Sequence, residues 1–544
     1  MMNSMTKPLQ YTLAILLVNL ITACGGGGGN PEPTAPTTLS ITPANGSTLM
    51  GDTPIVVQFD QSMTPDAPAL TGTLAAEGDG GSWSTTVLEN DTFTLKPTMT
   101  WRHGASRTIG LDPKSINNLN LTQPTSLTYN VNNIIHLISV HNDGTQGNDD
   151  SRDYSIGMSS DNRYVAFSSA ASNLVDNDTN GRADIFLRDR QIGTTSRISV
   201  ATGGIEANGA SIEVAMSENG RYVAFESSAT NLAEVDLNTA PDVFVHDRQT
   251  GETVCISLNS DGNATANNGS YKPSMSAGGR YVAFYSNATD LVPVEDDPNG
   301  IINDVFVHDR NTGTTTRISK SHNGAIEDGH SSIPVISADG RFVVYESQAS
   351  NLVDEADNGV QDIFITELAT GNTTRISKSY NDSTETGGSY ETTISADGRY
   401  VAFTSGSNNI VADDTNSVND IFVYDRQDDV MTRASVSSEG TEANGNNIYP
   451  TISADGRYVA FGSNATNLLD TEASTFSDIY MRDLQAGTTH RLSVASDGAE
   501  ANSNSYKSAL SADGRYVAFQ SAAGNLVESD NNGNEDIFVV PTPY

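Results

Sequence analysis

The chain has 544 residues, too many for one ordinary domain, and only two are cysteines, so no disulfide framework can hold it together. Its formal charge of −38 repels nucleic acid and anionic lipid headgroups and favours cations. A nucleic-acid-binding role is thereby excluded, and the same charge keeps a β-rich protein soluble.

In chain order, residues 1–23 read as an export signal: Lys7, an apolar run from Tyr11 to Leu20, then small residues. The run is shorter than the roughly 20 apolar residues that a membrane-spanning helix needs. Ile21-Thr-Ala-Cys24 follows. It resembles the lipobox of bacterial lipoproteins, which implies lipidation of Cys24 as the mature N-terminus. Gly25, in place of Asp, implies sorting to the outer membrane. Several acyl chains on one residue anchor stably where a single chain does not. Residues 24–36, five glycines and then a Pro-containing stretch, form a tether that is flexible and then stiffer.

Residues 37–131 hold short strand-like runs without long-range period. Ile41-Thr-Pro-Ala-Asn-Gly46, Ile55-Val-Val-Gln-Phe59 and Ser62-Met63 resemble bacterial Ig-like domains, which implies a small β-sandwich. Trp83 and Trp101, the only tryptophans, are expected in its core.

From residue 134 to 541 one unit recurs seven times. Its best copy is Ser453-Ala-Asp-Gly-Arg-Tyr-Val-Ala-Phe461, and the copies end at Phe167, Phe225, Phe284, Tyr345, Phe403, Phe461 and Phe519. The intervals are 58, 59, 61, 58, 58 and 58 residues. Such a period marks a solenoid, a propeller or a string of domains. Asp-Gly between apolar runs predicts a tight hairpin, and Asn162, which replaces Gly in the first copy, is the next residue to tolerate a left-handed backbone. With the run before Asp-Gly, the Tyr-Val-Ala-Phe run, the Asp-Ile-Phe-Val run and a last run after a Gly turn, each period holds four strands, one propeller blade. The seventh copy stops at Pro541 without its fourth strand, while His136-Leu-Ile-Ser-Val140 stands spare before the first and matches Arg197-Ile-Ser-Val200. The expected architecture is all-β: a seven-bladed propeller closed by an N-terminal strand, preceded by the Ig-like sandwich. The motifs resemble the TolB-like (WD-repeat-like) propellers, though TolB itself is usually described with six blades.

In such a blade the loop between strands two and three and the loop between blades share one face. Both are long here, whereas the opposite turns are tight, so the long-loop face is the candidate functional face. Its strongest chemical signal is Asp176-x-Asp178-x-Asn180-Gly-Arg182-x-Asp184, repeated as Glu528-x-Asp530-x-Asn532-Gly-Asn534-x-Asp536. Oxygen side chains at positions 1, 3, 5 and 9, Gly at 6 and a backbone carbonyl at 7 match the start of an EF-hand loop, so structural Ca²⁺ is expected there. The rival reading is that Asp, Asn and Gly make good turns. Repeats two (Glu234, Asp236, Asn238, Asp242) and six (Asp470, Glu472, Ser474, Asp478) keep oxygens without the Gly; Ala356 and Ala412 weaken repeats four and five.

A second repeated pair, Arg163 with Asp189 and its equivalents, is read as a structural cross-strand ion pair, in a register that sets Phe167 opposite Ile185. Cys255 is expected to be a buried thiol, and no Gly-x-Ser-x-Gly, His-Glu-x-x-His or Walker motif is present. The reading is therefore a non-catalytic outer-membrane binding or scaffold lipoprotein, monomeric, meeting the membrane only through its anchor, with a protein or glycan ligand on the long-loop face. The alternatives are an envelope enzyme or enzyme accessory acting on glycans or peptides, or a periplasmic TolB-like partner in envelope assembly.

Overall fold

The computed structural model describes residues 38–42, 48–49, 55–63, 69–71, 82–84, 92–95, 104–112 and 125–131, and 135–543 apart from 153–154, 235, 237, 355–358, 382–384, 471–475 and 529. The export signal, Cys24, the tether and Trp101 lie outside these residues, as does the side chain of Trp83. Every regular element described is a strand, and no helix among them is long and apolar enough to cross a membrane.

The N-terminal unit has two four-stranded sheets. Ile55–Phe59 alternates buried and half-buried residues, as a strand with one face on a core must. Its buried residues Ile55, Val57 and Phe59 meet Phe93 and Leu95 of the same sheet and Ile109, Leu111 and Leu127 of the other, with Met63 buried among them.

Beyond it lie seven further four-stranded antiparallel sheets, one per repeat. The first comprises Gly157–Met158, Tyr164–Ser169, Asp184–Asp189 and Thr194–Arg197 in that spatial order. Repetition of such sheets is the β-propeller arrangement. The second and third strands are buried on both faces, which is why they read as continuous apolar runs rather than alternating ones. Alternate residues serve neighbouring sheets. Ala166, Ile185 and Leu187 pack with Val223 and Phe225 of the second sheet. Val165, Phe167 and Phe186 pack with Tyr516, Ala518 and Val539 of the seventh. The seventh sheet takes His136–Leu137 as its fourth strand, Leu137 pairing with Phe538 and His136 with Val539.

The expected strand register is off by one. Phe167 faces Phe186, not Ile185, and Tyr164 rather than Arg163 faces Asp189. The shift sets aromatic against aromatic in every sheet, with centroids 5.8–6.1 Å apart. The ion pair survives because Arg163, just outside the strand, reaches back to Asp189 through Nε and Nη2. Arg221, Arg280, Arg399 and Arg457 repeat it with Asp247, Asp309, Asp425 and Asp483. Between sheets, Arg248 lies 4.1 Å over Tyr164 and Arg310 4.1 Å over Tyr222. The Asp-Gly turn is part of the same joint. Gly279 has φ +70°, and a Cβ there would come within 2.4 Å of Tyr222 of the preceding repeat.

Candidate functional site

The long-loop segments bring the acidic residues of the first repeat together, but around an arginine. Asp184 opens the third strand, Asp178 lies in the loop before it, and Glu206 follows the fourth strand; their carboxylate oxygens lie within 4.8 Å of one another. The guanidinium of Arg197, on the fourth strand, sits 2.5 Å from Glu206, 3.5 Å from Asp178 and 3.7 Å from Asp184. Asn180 does not face inward as an oxygen ligand: its Nδ2 donates to Asp184 and to the carbonyl of Ala207. Asp176 and Arg182 are exposed. Burial, followed by the charge of Asp184, pushes the Asp178 carboxyl up to about 6.

The arrangement recurs with Arg317 between Asp297, Asp304 and Glu327, and with Arg433 between Asp414, Asp420 and Glu442. Arg375 pairs with Asp362 and Glu385, and Arg491 with Asp478 and Glu500. Two sheets depart from it. In the second, Cys255 takes the arginine's place opposite Phe244, and Thr265 makes the bridge that Glu206 makes elsewhere. In the seventh, Leu137 faces Phe538 and Gln146 makes that bridge. Cation and glutamate are lost together, so the count of charges stays balanced. What remains is a pair of carboxylates, Asp236 with Asp242 and Asp530 with Asp536. Burial pushes Asp242 up to about 7 and Asp536 up to about 6. Gln146 donates to Asp530 at 3.3 Å, and among the described residues no arginine or lysine forms an ion pair with Asp530 or Asp536. Glu528 is exposed, and Asn534 contributes its backbone N–H to Asn532.

Arg197 and Glu206 escaped the sequence reading, although the signal was there. Arg197, Arg317, Arg375, Arg433 and Arg491 recur, a glutamate follows each, and both vanish in the same two repeats.

The Asn-rich inter-repeat loops are occupied with one another. Asn444 bonds Asn467 and Thr466 through both backbone and side chain, and Asn502 takes the side chain of Asn525. Asn446 and Asn504 accept the backbone N–H groups of Asn419 and Ser477 from the long loop that precedes each in the same repeat. Cys255 is buried and its thiol is pushed well above the ordinary range by burial. His246 and His308 bond Thr253 and Thr315, and burial lowers the pKa of both, to about 4 for His308.

A second feature of this face was missed altogether. The first strands of all seven sheets line a cavity of about 600 Å³. In six of them a bulge interrupts pairing with the second strand, as between Ile212 and Val214. At each bulge one residue takes a left-handed backbone: Glu213, Lys272, Ile333, Glu391, Tyr449 and Lys507, with φ from 47° to 57°. Glu213 lies two residues beyond Ser211, which pairs with Ser227 beside the long loop, so these positions lie toward the long-loop end of the strands that line the cavity. Bulges of this kind re-aim side chains and cluster near active sites. The ring is charged: Lys272 lies 3.4 Å from Glu213, and Lys507 lies over the ring of Tyr449. Behind it, Glu346 accepts the backbone N–H of Glu391 at 2.6 Å, and Glu391 accepts that of Tyr449 at 2.8 Å. Burial pushes Glu346 up to about 7.

The profile of the bacterial Ig-like domain matches residues 32–131, and the N-terminal unit is such a domain. No curated protein matches the chain. Among solved structures, TolB of Agrobacterium tumefaciens is 15% identical over 64% of this chain and 95% of its own, with a TM-score of 0.34. The β-propeller domain of the Trilobed protease from Pyrococcus furiosus is 8% identical over 84% and 98%, with a TM-score of 0.39. A prolyl endopeptidase is 11% identical over 73% of this chain but only 50% of that one, with a TM-score of 0.42.

Proposed function

We propose that the protein is a binding lipoprotein of the bacterial outer membrane, displayed at the surface. Cys24 anchors it, the tether and the Ig-like domain space it outward, and a seven-bladed propeller closed by His136–Leu137 offers its long-loop face to a protein or glycan ligand. One observation carries this reading: six bulges of the same backbone form present acidic, basic, aliphatic and aromatic side chains around a single cavity. Elsewhere the repeats keep their residues nearly constant, as Tyr-Val-Ala-Phe and the Arg–Asp pair do. Constant backbone with varied side chains is how a rigid scaffold builds a specific site. The carboxylates of the loop clusters are matched to arginine in five repeats, which favours binding over turnover.

A pull-down and a glycan array with the full chain test the proposal. Captured ligand should be lost on Glu391→Gln with Lys507→Met, and capture that is indifferent to both changes would defeat it. Protease shaving of intact cells should remove the repeats if they face outward.

Calcium fits the first repeat poorly, because the guanidinium of Arg197 already occupies the space between the three carboxylates. The seventh lacks that cation, so Asp530 and Asp536 would hold the ion and gain a structural tie between their loop and the N-terminal segment. Chelation should then lower the thermal midpoint, Asp530→Ala should abolish that sensitivity, and Asp178→Ala should leave it intact. A melting curve unmoved by chelator would remove calcium from the account.

A further inference from the structure

At the joint between the seventh and first sheets, on the tight-turn face, lies a cavity of about 570 Å³. It opens where the stand-in strand His136–Leu137 has two residues, whereas the other sheets have a four-residue fourth strand such as Thr194–Arg197. Three of its lining residues matter: Asn162, Arg188 and Arg190.

Asn162 stands where the other six repeats have glycine, in a left-handed backbone of φ 60°. It is 2% exposed, yet neither its amide nitrogen nor its amide oxygen has a hydrogen-bond partner. A buried amide left in that state is costly, so the position asks for a polar occupant of the cavity. Arg190 lies 4.9 Å over Tyr516 and donates to the carbonyl of Asn162; Arg188 donates to Thr195. Neither forms an ion pair among the described residues, and burial lowers the pKa of both. Arg163, also on the wall, is already satisfied by Asp189. Asp161, the acidic residue of the wall, is turned to Ser159 and to the N–H of Arg163.

We propose that this joint is a binding site for a small organic carboxylate. The guanidiniums supply the cationic fork that suits a planar carboxylate, and the Asn162 amide offers a donor and an acceptor for a neighbouring hydroxyl. The site is independent of the long-loop face, and its failure would leave that face untouched.

Glucuronate, citrate and neutral glucose are the probes, titrated into the full chain at ionic strength matched with chloride, with calorimetry and thermal midpoint as readouts. Glucuronate or citrate should bind and raise the midpoint, while glucose should do neither. Arg188→Met should weaken binding by about tenfold or more. Asn162→Gly restores the residue of the other repeats, so it should fold at least as stably and still weaken binding. Arg482→Met, the equivalent arginine of the sixth repeat, should change nothing. Equal responses from wild type, Arg188→Met and Asn162→Gly, a response that chloride reproduces, or no binding by either anion would each overturn the inference.

Discussion

At the scale of single residues, charge balance governs the repeats. Arg197, its side chain 11% exposed, is enclosed by three carboxylates, and removing one partner of such a group strands the others. Arg197→Leu alone should cost about 3–5 kcal/mol in urea unfolding at neutral pH. The double change Arg197→Leu with Glu206→Gln reproduces Leu137 and Gln146 of the seventh sheet and should recover most of that loss. If the double variant were no more stable than the single one, the paired absence of arginine and glutamate would be coincidence. The same residues set the response to pH. Asp242 titrates near 7 when folded, against 3.8 for an ordinary aspartate, so the folded chain holds that proton more tightly and stability falls as pH rises between those values. Asp425, hydrogen-bonded by Arg399, is lowered to about 2, so its contribution is present above 3.8 and is lost as pH falls toward 2. The thermal midpoint should therefore peak near pH 4 and decline on both sides. Asp242→Asn should make the neutral limb shallower, with Asp178, Asp536 and Glu346 still contributing to it, and leave the acid limb alone.

At the scale of elements, the hairpin turn and the inter-sheet joint are one device. Gly279 supplies a positive φ and leaves room for Tyr222, which in turn lies beneath Arg310. Gly279→Ala should cost more than the roughly 1–2 kcal/mol of left-handed strain, because a methyl group would press on the ring. Gly300, equally left-handed but with open space around it, is the control: its alanine variant should cost the strain alone. Equal costs at the two positions would mean that the turn is not packed against its neighbour. The Asp-Gly signal named the turn from local chemistry. The tyrosine that makes it obligatory comes from the preceding repeat, far off along the chain, and could not be seen locally.

At the scale of the molecule, the first and last sheets share a core, and the N-terminal segment supplies a strand of the last one. Ser139 bonds Asp536 and receives the N–H of Ile537, as Ser199 does for Asp184 and Ile185. The N-terminal segment thus copies a fourth strand down to its hydrogen bonds. Ile138, 2% exposed, packs in the core shared by the seventh and first sheets. Ile138→Asp should lower the unfolding free energy by several kcal/mol and expose the region around Phe538 to limited proteolysis. Proteolysis unchanged from wild type would mean that the segment adds little to the joint.

The amino-acid sequence by itself determined the repeat, its four strands, the spare strand and its destination, because these follow from local periodicity and from counting. It also marked the Arg–Asp pair, although the register was one residue out: pairing is settled by ring against ring across strands, which a one-dimensional pattern does not weigh. Only the tertiary structure decided what stands inside each acidic cluster, since Arg197 and Glu206 reach Asp178 from separate segments. Only it revealed the ring of bulged side chains and the unpartnered Asn162, because a cavity exists only once seven sheets converge and their last joint is filled by a shorter strand.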